Sequence, residues 1–168
     1  QRRSSGLLRE RIPEKSAVEQ EFQTRRSKHT LKLLKDAVNL LDGQNLEIDT
    51  ETLAVLIKSC TNADSLPAGQ FVHQHILTNG YEGDTYLCNF LMEMYGKCGA
   101  LLDADNVFSE IYPRSTVTWN AILSAYVDQG QGARALQLYR NMQSEGLALD
   151  QLTFVIALQA CSCLAEKE

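Results

Sequence analysis

Apolar residues along this chain recur at three- and four-residue spacing, the period of helices buried along one face. In residues 116–150, Val117, Ile122, Leu123 and Tyr126 give one such face. Ala135, Leu136, Leu138, Tyr139 and Met142 give a second. Gly130 and Gly132 fall between the two and break the first helix, and Gly146 closes the second as a C-terminal glycine of positive φ would. The segment before it repeats the arrangement. Leu91, Met92 and Tyr95 are followed by a turn at Gly96–Gly99, then by Leu101, Ala104, Val107, Phe108 and Ile111, with Pro113 as the stop. No hairpin signal separates these segments.

The two segments are copies of one pattern. At an offset of 31 residues Asn89 falls on Asn120, Tyr95 on Tyr126, Gly99 on Gly130, Ala104 on Ala135 and Phe108 on Tyr139. At an offset of 66, Thr52 falls on Thr118, Gly80 on Gly146 and Asp84 on Asp150. A further offset of 35 places Thr153 on Thr118 and Phe154 on Trp119. The units implied are 50–84, 85–115, 116–150 and a truncated unit 151–168, preceded by a partial unit 31–49 in which Leu31, Leu34, Val38 and Leu41 share a face. A single helix pair cannot bury its apolar stripe, but stacked pairs can. The expected fold is therefore all-α, a right-handed α-solenoid of helix-turn-helix repeats with a concave surface. Trp119 and Tyr126 are expected in its core, and the alanines at 104 and 135 leave room for close helix approach.

Charge changes this picture at one end. Residues 1–35 carry ten Lys/Arg against four Asp/Glu, whereas 36–168 carry six against 17. Residues 1–30 show no clear period and are expected to be a basic arm, disordered or only marginally helical. The acidic remainder repels phosphate in bulk. The chain opens at Gln1 and stops at Glu168 inside an apolar pattern, so it is expected to be part of a longer protein. No apolar run approaches the ~18–20 residues of a membrane span. The five cysteines (60, 88, 98, 161 and 163) contain no Cys-x-x-Cys and no zinc spacing, and are expected to serve as reduced small hydrophobes, Cys161 at a core position. His73 and His75 lie two apart on a helix and share no face. The chain has no nucleophile–base set and no phosphate loop. No catalytic residue, no metal and no cofactor is expected, and the chain is not expected to be an enzyme.

Two repeat families have periods near these. The tetratricopeptide pattern is echoed only in its second half, by Ala104-x3-Phe108 and Ala135-x3-Tyr139. Over residues 31–168 the chain resembles the plant pentatricopeptide repeat family. Asn89–Gly99 (Asn-Phe-Leu-Met-Glu-Met-Tyr-Gly-Lys-Cys-Gly) is similar to its short S-type unit. Thr116–Tyr126 (Thr-Val-Thr-Trp-Asn-Ala-Ile-Leu-Ser-Ala-Tyr) is similar to its P-type unit. Leu56–Cys60 followed by Val72–Ile76 is similar to its L-type unit. Along the chain the order is L (50–84), S (85–115), P (116–150), then a truncated L (151–168), the register of the PLS subclass.

The resemblance implies binding of single-stranded RNA, with two or three side chains per unit reading one base. The reading positions it assigns are the fifth and last residues of a unit: Asn89 with Ser115, Asn120 with Asp150, and, in the L-type unit, Asp84 opposite Ala54. The second-position residues Tyr86, Val117 and Leu152 would stack on bases, and Lys97 would lie near phosphate; Asp128 stands at the position of Lys97 in the next unit. A carboxylate only accepts, so Asp150 suits uracil N3–H or guanine N1–H, while the hydroxyl of Ser115 can donate to cytosine N3 or adenine N1. With an asparagine at the fifth position, which the family associates with pyrimidines, the implied bases are cytosine for 85–115 and uracil for 116–150. Asp84 and Asp150 are equally placed to cap the following helix. The resemblance further implies a mitochondrion or chloroplast, a role in C-to-U RNA editing, and editing cofactor proteins as possible partners, with no DNA, membrane or small-molecule substrate. Arginines at 2, 3, 9, 11, 25 and 26 suit a transit segment, but Glu10, Glu14, Glu19 and Glu21 do not, so a presequence is expected upstream of Gln1. The alternative function is a protein–protein scaffold of the tetratricopeptide kind, its concave face receiving a peptide.

Overall fold

Short polar side chains start the leading helix of each pair. Asp49 accepts from Thr52 N–H at 2.7 Å, Asp84 from Tyr86 N–H and Leu87 N–H at 2.9 and 3.1 Å, Ser115 from Thr118 N–H at 3.2 Å, and Asp150 from Thr153 N–H at 2.8 Å. Each satisfies an amide that the helix cannot. The computed structural model describes residues 24–36, 39 and 48–165. Its helices are α1 (helical over 24–36), α2 (Thr50–Asn62), α3 (Leu66–Thr78), α4 (Thr85–Lys97), α5 (Leu101–Glu110), α6 (Thr116–Asp128), α7 (Gly132–Ser144) and α8 (Gln151–Ala165). Among the described residues there is no strand, and no helix is long and apolar enough to cross a membrane.

The turns inside the pairs use the left-handed region. Gly99 and Gly130, at φ 73° and 65°, follow α4 and α6, and the next amides, Ala100 N–H and Gln131 N–H, reach back to the carbonyls of Tyr95 and Tyr126 at 2.8 and 2.9 Å. After α2 the same task falls to Asp64, at φ 49°. Helix α5 has 10 residues where α3 and α7 have 13, which accounts for most of the shorter unit.

The leading helices α2, α4, α6 and α8 stack in a row, and each second helix packs on its own leader and on the next. This is the α-solenoid the repeat pattern predicts. The core runs unbroken from Leu53 and Ile57 through Leu91 and Met92, Trp119 and Ile122, to Met142 and Ile156. At ~1.5–3 kcal/mol for each large apolar side chain withdrawn from water, this seam dominates stability. A Cβ on Gly96 would stand 2.5 Å from the Cβ of Ala125, so glycine there lets α4 and α6 touch through backbone.

Three expectations change. Val117, grouped with the core face of α6, is 60% exposed: the buried face runs through Trp119, Ile122, Leu123 and Tyr126, and Val117 lies outside it. Cys161 is exposed, because the buried register of α8 is Thr153, Ile156 and Ala160. Residues 24–30, assigned to the arm, are helical and continuous with 31–36. Ser27 holds that helix to the α2–α3 turn through Ser65 at 2.7 Å, and Leu34 is buried. Positions 1–23, Val38 and Leu41 lie outside the described residues. Burial does hold the thiols of Cys60 and Cys88 high, at about 12 and about 11, as inert small hydrophobes require.

Candidate nucleic-acid interface

Stacking leading helices in register aligns their fifth positions on one surface. Between α4, α6 and the start of α8 runs a groove of about 450 Å³. Tyr86, Asn89 and Lys97 line it from α4, Val117 and Asn120 from α6, and Asp150 and Leu152 from the entry to α8. These are seven of the nine residues singled out from the sequence. The other two, Asp84 and Ser115, do not line the groove; they cap α4 and α6 beside it. The groove is walled by exposed apolar side chains, with Tyr86 at 53%, Val117 at 60% and Leu152 at 55% exposure. Flat or branched apolar surface left in water beside polar groups suits a ligand with a π-face and a hydrogen-bonding edge.

The polar groups are tied to each other. The Asn120 side chain is buried, and its Nδ2 donates to both oxygens of Asp150 at 3.0 and 3.3 Å. Its Oδ1 is 2.8 Å from the Thr153 hydroxyl, which lies 2.7 Å from Asp150 Oδ1. Hydrogen bonds from the Thr153 amide and hydroxyl, then from Asn120, hold the Asp150 carboxyl below its ordinary value of 3.8. Asp150 is thus an exposed, ionised acceptor with a fixed orientation, while Asn120 spends its polar atoms on orienting it.

The preceding unit differs. Ser115 Oγ lies 3.0 Å from Thr118 Oγ1. Asn89 Oδ1, the counterpart of Asn120 Oδ1, is buried and has no hydrogen-bond partner among the described residues. At the far end of the groove Lys97 Nζ pairs with Asp128 at 2.6 Å, so the cation expected to meet phosphate already has a carboxylate partner.

Four further lining residues were not singled out from the sequence: Phe90, Glu93, Ala121 and Ser124. Phe90 sits edge-to-face with Tyr86 at 4.8 Å, with Lys58 Nζ 4.4 Å above its ring. Its spacing of four from Tyr86 was the available signal. Among the described residues no group of three His, Cys, Asp or Glu is placed to hold a metal ion.

A row of helix pairs, with a groove along the leading helices α4, α6 and α8, defines an α-helical repeat protein. Residues 114–163 match the PPR repeat family. The chain is 34% identical over 123 residues to the chloroplastic pentatricopeptide repeat-containing protein DOT4 of Arabidopsis thaliana, covering 73% of this chain and 14% of that relative. It is 35% identical over 131 residues to one mitochondrial pentatricopeptide repeat-containing protein of the same plant (78% and 22%) and 38% identical over 120 residues to another (71% and 16%). The chain is a homologue of these proteins and carries a repeat of their family. It spans less than a quarter of the length of each of the three.

Proposed function

We propose that this chain is part of the RNA-reading surface of an organelle RNA-processing factor of the PLS type. Its units 85–115 and 116–150 each receive one base of a single strand. The observation that carries this reading is Asp150: an ionised carboxylate, oriented by Asn120 and Thr153, between the exposed side chains of Val117 and Leu152. A base whose pairing edge donates, uracil in particular, stacks on the apolar walls and donates to that carboxylate. Ser115 serves the neighbouring base as a donor, which suits cytosine. The named organelles of the relatives, chloroplast and mitochondrion, support an organelle location. In a full-length protein the repeats would hold nucleotides beside a cytidine that is converted to uridine, with editing proteins as partners. This chain's share of that work is positioning rather than chemistry.

The second reading, a scaffold for a peptide, draws on the excess of acid in residues 36–168 and on the engagement of Lys97 by Asp128. A titration of single-stranded RNA against salt separates the two. RNA binding falls linearly on a log–log plot with a slope of about −0.7 per phosphate contact. Absence of RNA binding at low salt, with a peptide ligand bound instead, would favour the scaffold.

A further inference from the structure

The two threonines at the third position of their units, Thr118 and Thr153, are buried completely. Neither can touch a base directly. Each nevertheless has its hydroxyl on the residue that ends the unit before it.

At Asp150 the hydroxyl of Thr153 lies 2.7 Å from Oδ1 and the backbone N–H of Thr153 lies 2.8 Å from the same oxygen. Asn120 Nδ2 adds a second N–H donor to Oδ1 at 3.0 Å. Oδ1 is therefore saturated, and Oδ2, with one longer contact at 3.3 Å, is the oxygen left with acceptor capacity. The one proton of the Thr153 hydroxyl goes either to Asp150 Oδ1 or to Asn120 Oδ1, 2.8 Å away, and the second choice fixes the amide with its N–H side toward the carboxylate.

At Ser115 the same residue type meets a hydroxyl. Ser115 Oγ accepts from Thr118 N–H, and Thr118 Oγ1 lies 3.0 Å away. A hydroxyl has one proton and two acceptor lone pairs. When Thr118 donates, both acceptor sites of Ser115 are filled and its own proton is left to point outward. No counterpart of the Thr153–Asn120 contact is made in this unit: Asn89 Oδ1 is buried and unpartnered among the described residues.

We propose that Thr153 and Thr118 are positioning residues that set which hydrogen-bonding character the preceding unit shows to its base: an acceptor at Asp150, a donor at Ser115. The proposal rests on the reading of the groove as an RNA site and adds a third, buried determinant to each base position. The unit 50–84 supplies an internal contrast. Its following unit has Leu87 at the third position, so Asp84 is held by the amides of Tyr86 and Leu87 alone. Discrimination opposite 50–84 is accordingly the weakest of the three.

The test uses the full-length protein and single-stranded RNA oligonucleotides varied at one nucleotide at a time, with folding followed by circular dichroism. Thr153→Val keeps shape and removes the hydroxyl. It should reduce the preference for uracil over cytosine opposite 116–150 by roughly three- to tenfold, the worth of one hydrogen bond, and leave the nucleotide opposite 85–115 unchanged. Thr153→Ser should restore the preference. If Asp150→Asn shifts the preference and Thr153→Val does not, the threonine is only core and the proposal is overturned while the RNA reading survives. If neither variant shifts it, the RNA reading falls, and the proposal with it. Should Thr153→Val fail to fold, Thr118→Val carries the same test. Preference for cytosine or adenine opposite 85–115, and nowhere else, should fall, and an unchanged preference overturns the proposal.

Discussion

At Asp150 one carboxylate closes the first turn of α8 and also faces the groove, so in the proposed reading its protonation state couples folding to recognition. Its pKa is lowered, chiefly by the amide and hydroxyl of Thr153. The linkage sign follows: its stabilising contribution is fully present above the unfolded carboxylate value and is lost as pH falls through the lower folded value. Preference for an N–H-donating base opposite 116–150 should therefore stay flat from about pH 8 down to about pH 5 and fail only in stronger acid. Base-preference measurements across that range check this; a midpoint near neutrality would mean that another group governs the site. The residues on the groove wall were largely legible in the sequence, because repeat offsets put Asn89 on Asn120 and Asp84 on Asp150 before any coordinates. What the offsets could not show is hydrogen-bond direction. Asn120 aligns with Asn89 at a reading position, and only the structure shows its amide hydrogen-bonded to Asp150 and Thr153. The buried threonines were legible only as alignment marks.

Among elements, the stacked leaders α4 and α6 set the spacing of the proposed reading positions. Gly96 against Ala125 makes that contact through backbone, and Ile122 fills the seam behind it. Ile122→Ala should cost about 2–5 kcal/mol, read as a lowered denaturant midpoint at unchanged slope. The same two helices carry the Lys97–Asp128 pair across the groove end. Both partners are exposed, so the pair is worth little to stability. Its effect on phosphate should be larger. Asp128→Asn should strengthen RNA binding about equally for all sequences and steepen the salt slope by roughly one contact, whereas Lys97→Gln should do the reverse. Measured log-affinity against log-salt for both variants decides it. Helix existence was readable from periodicity, but the face assignments of Val117 and Cys161 were not. Which stripe is buried depends on where the neighbouring pair lands, and one helix alone does not contain that information. Thiol alkylation reads the corrected register of α8: Cys161 should react in the folded protein, and Cys60 and Cys88 only on unfolding.

For the whole molecule, the acidic body and the RNA reading pull against each other. Residues 36–168 hold 17 acidic side chains against six basic ones. Affinity must then come from stacking and base-edge contacts summed along many units more than from bulk charge, which favours selectivity over tightness. Each unit contacts only its neighbours, so changes at one reading position should stay local. The most direct test of that account is selection of single-stranded RNA from a randomised pool by the full-length protein, wild type against Asp150→Asn. The wild type should enrich cytosine opposite 85–115 and uracil at the adjacent position opposite 116–150. The variant should move only the second of these toward cytosine, by about 1–3 kcal/mol of discrimination. Identical enriched sequences from the two proteins, both folded, would contradict the claim that this groove reads bases.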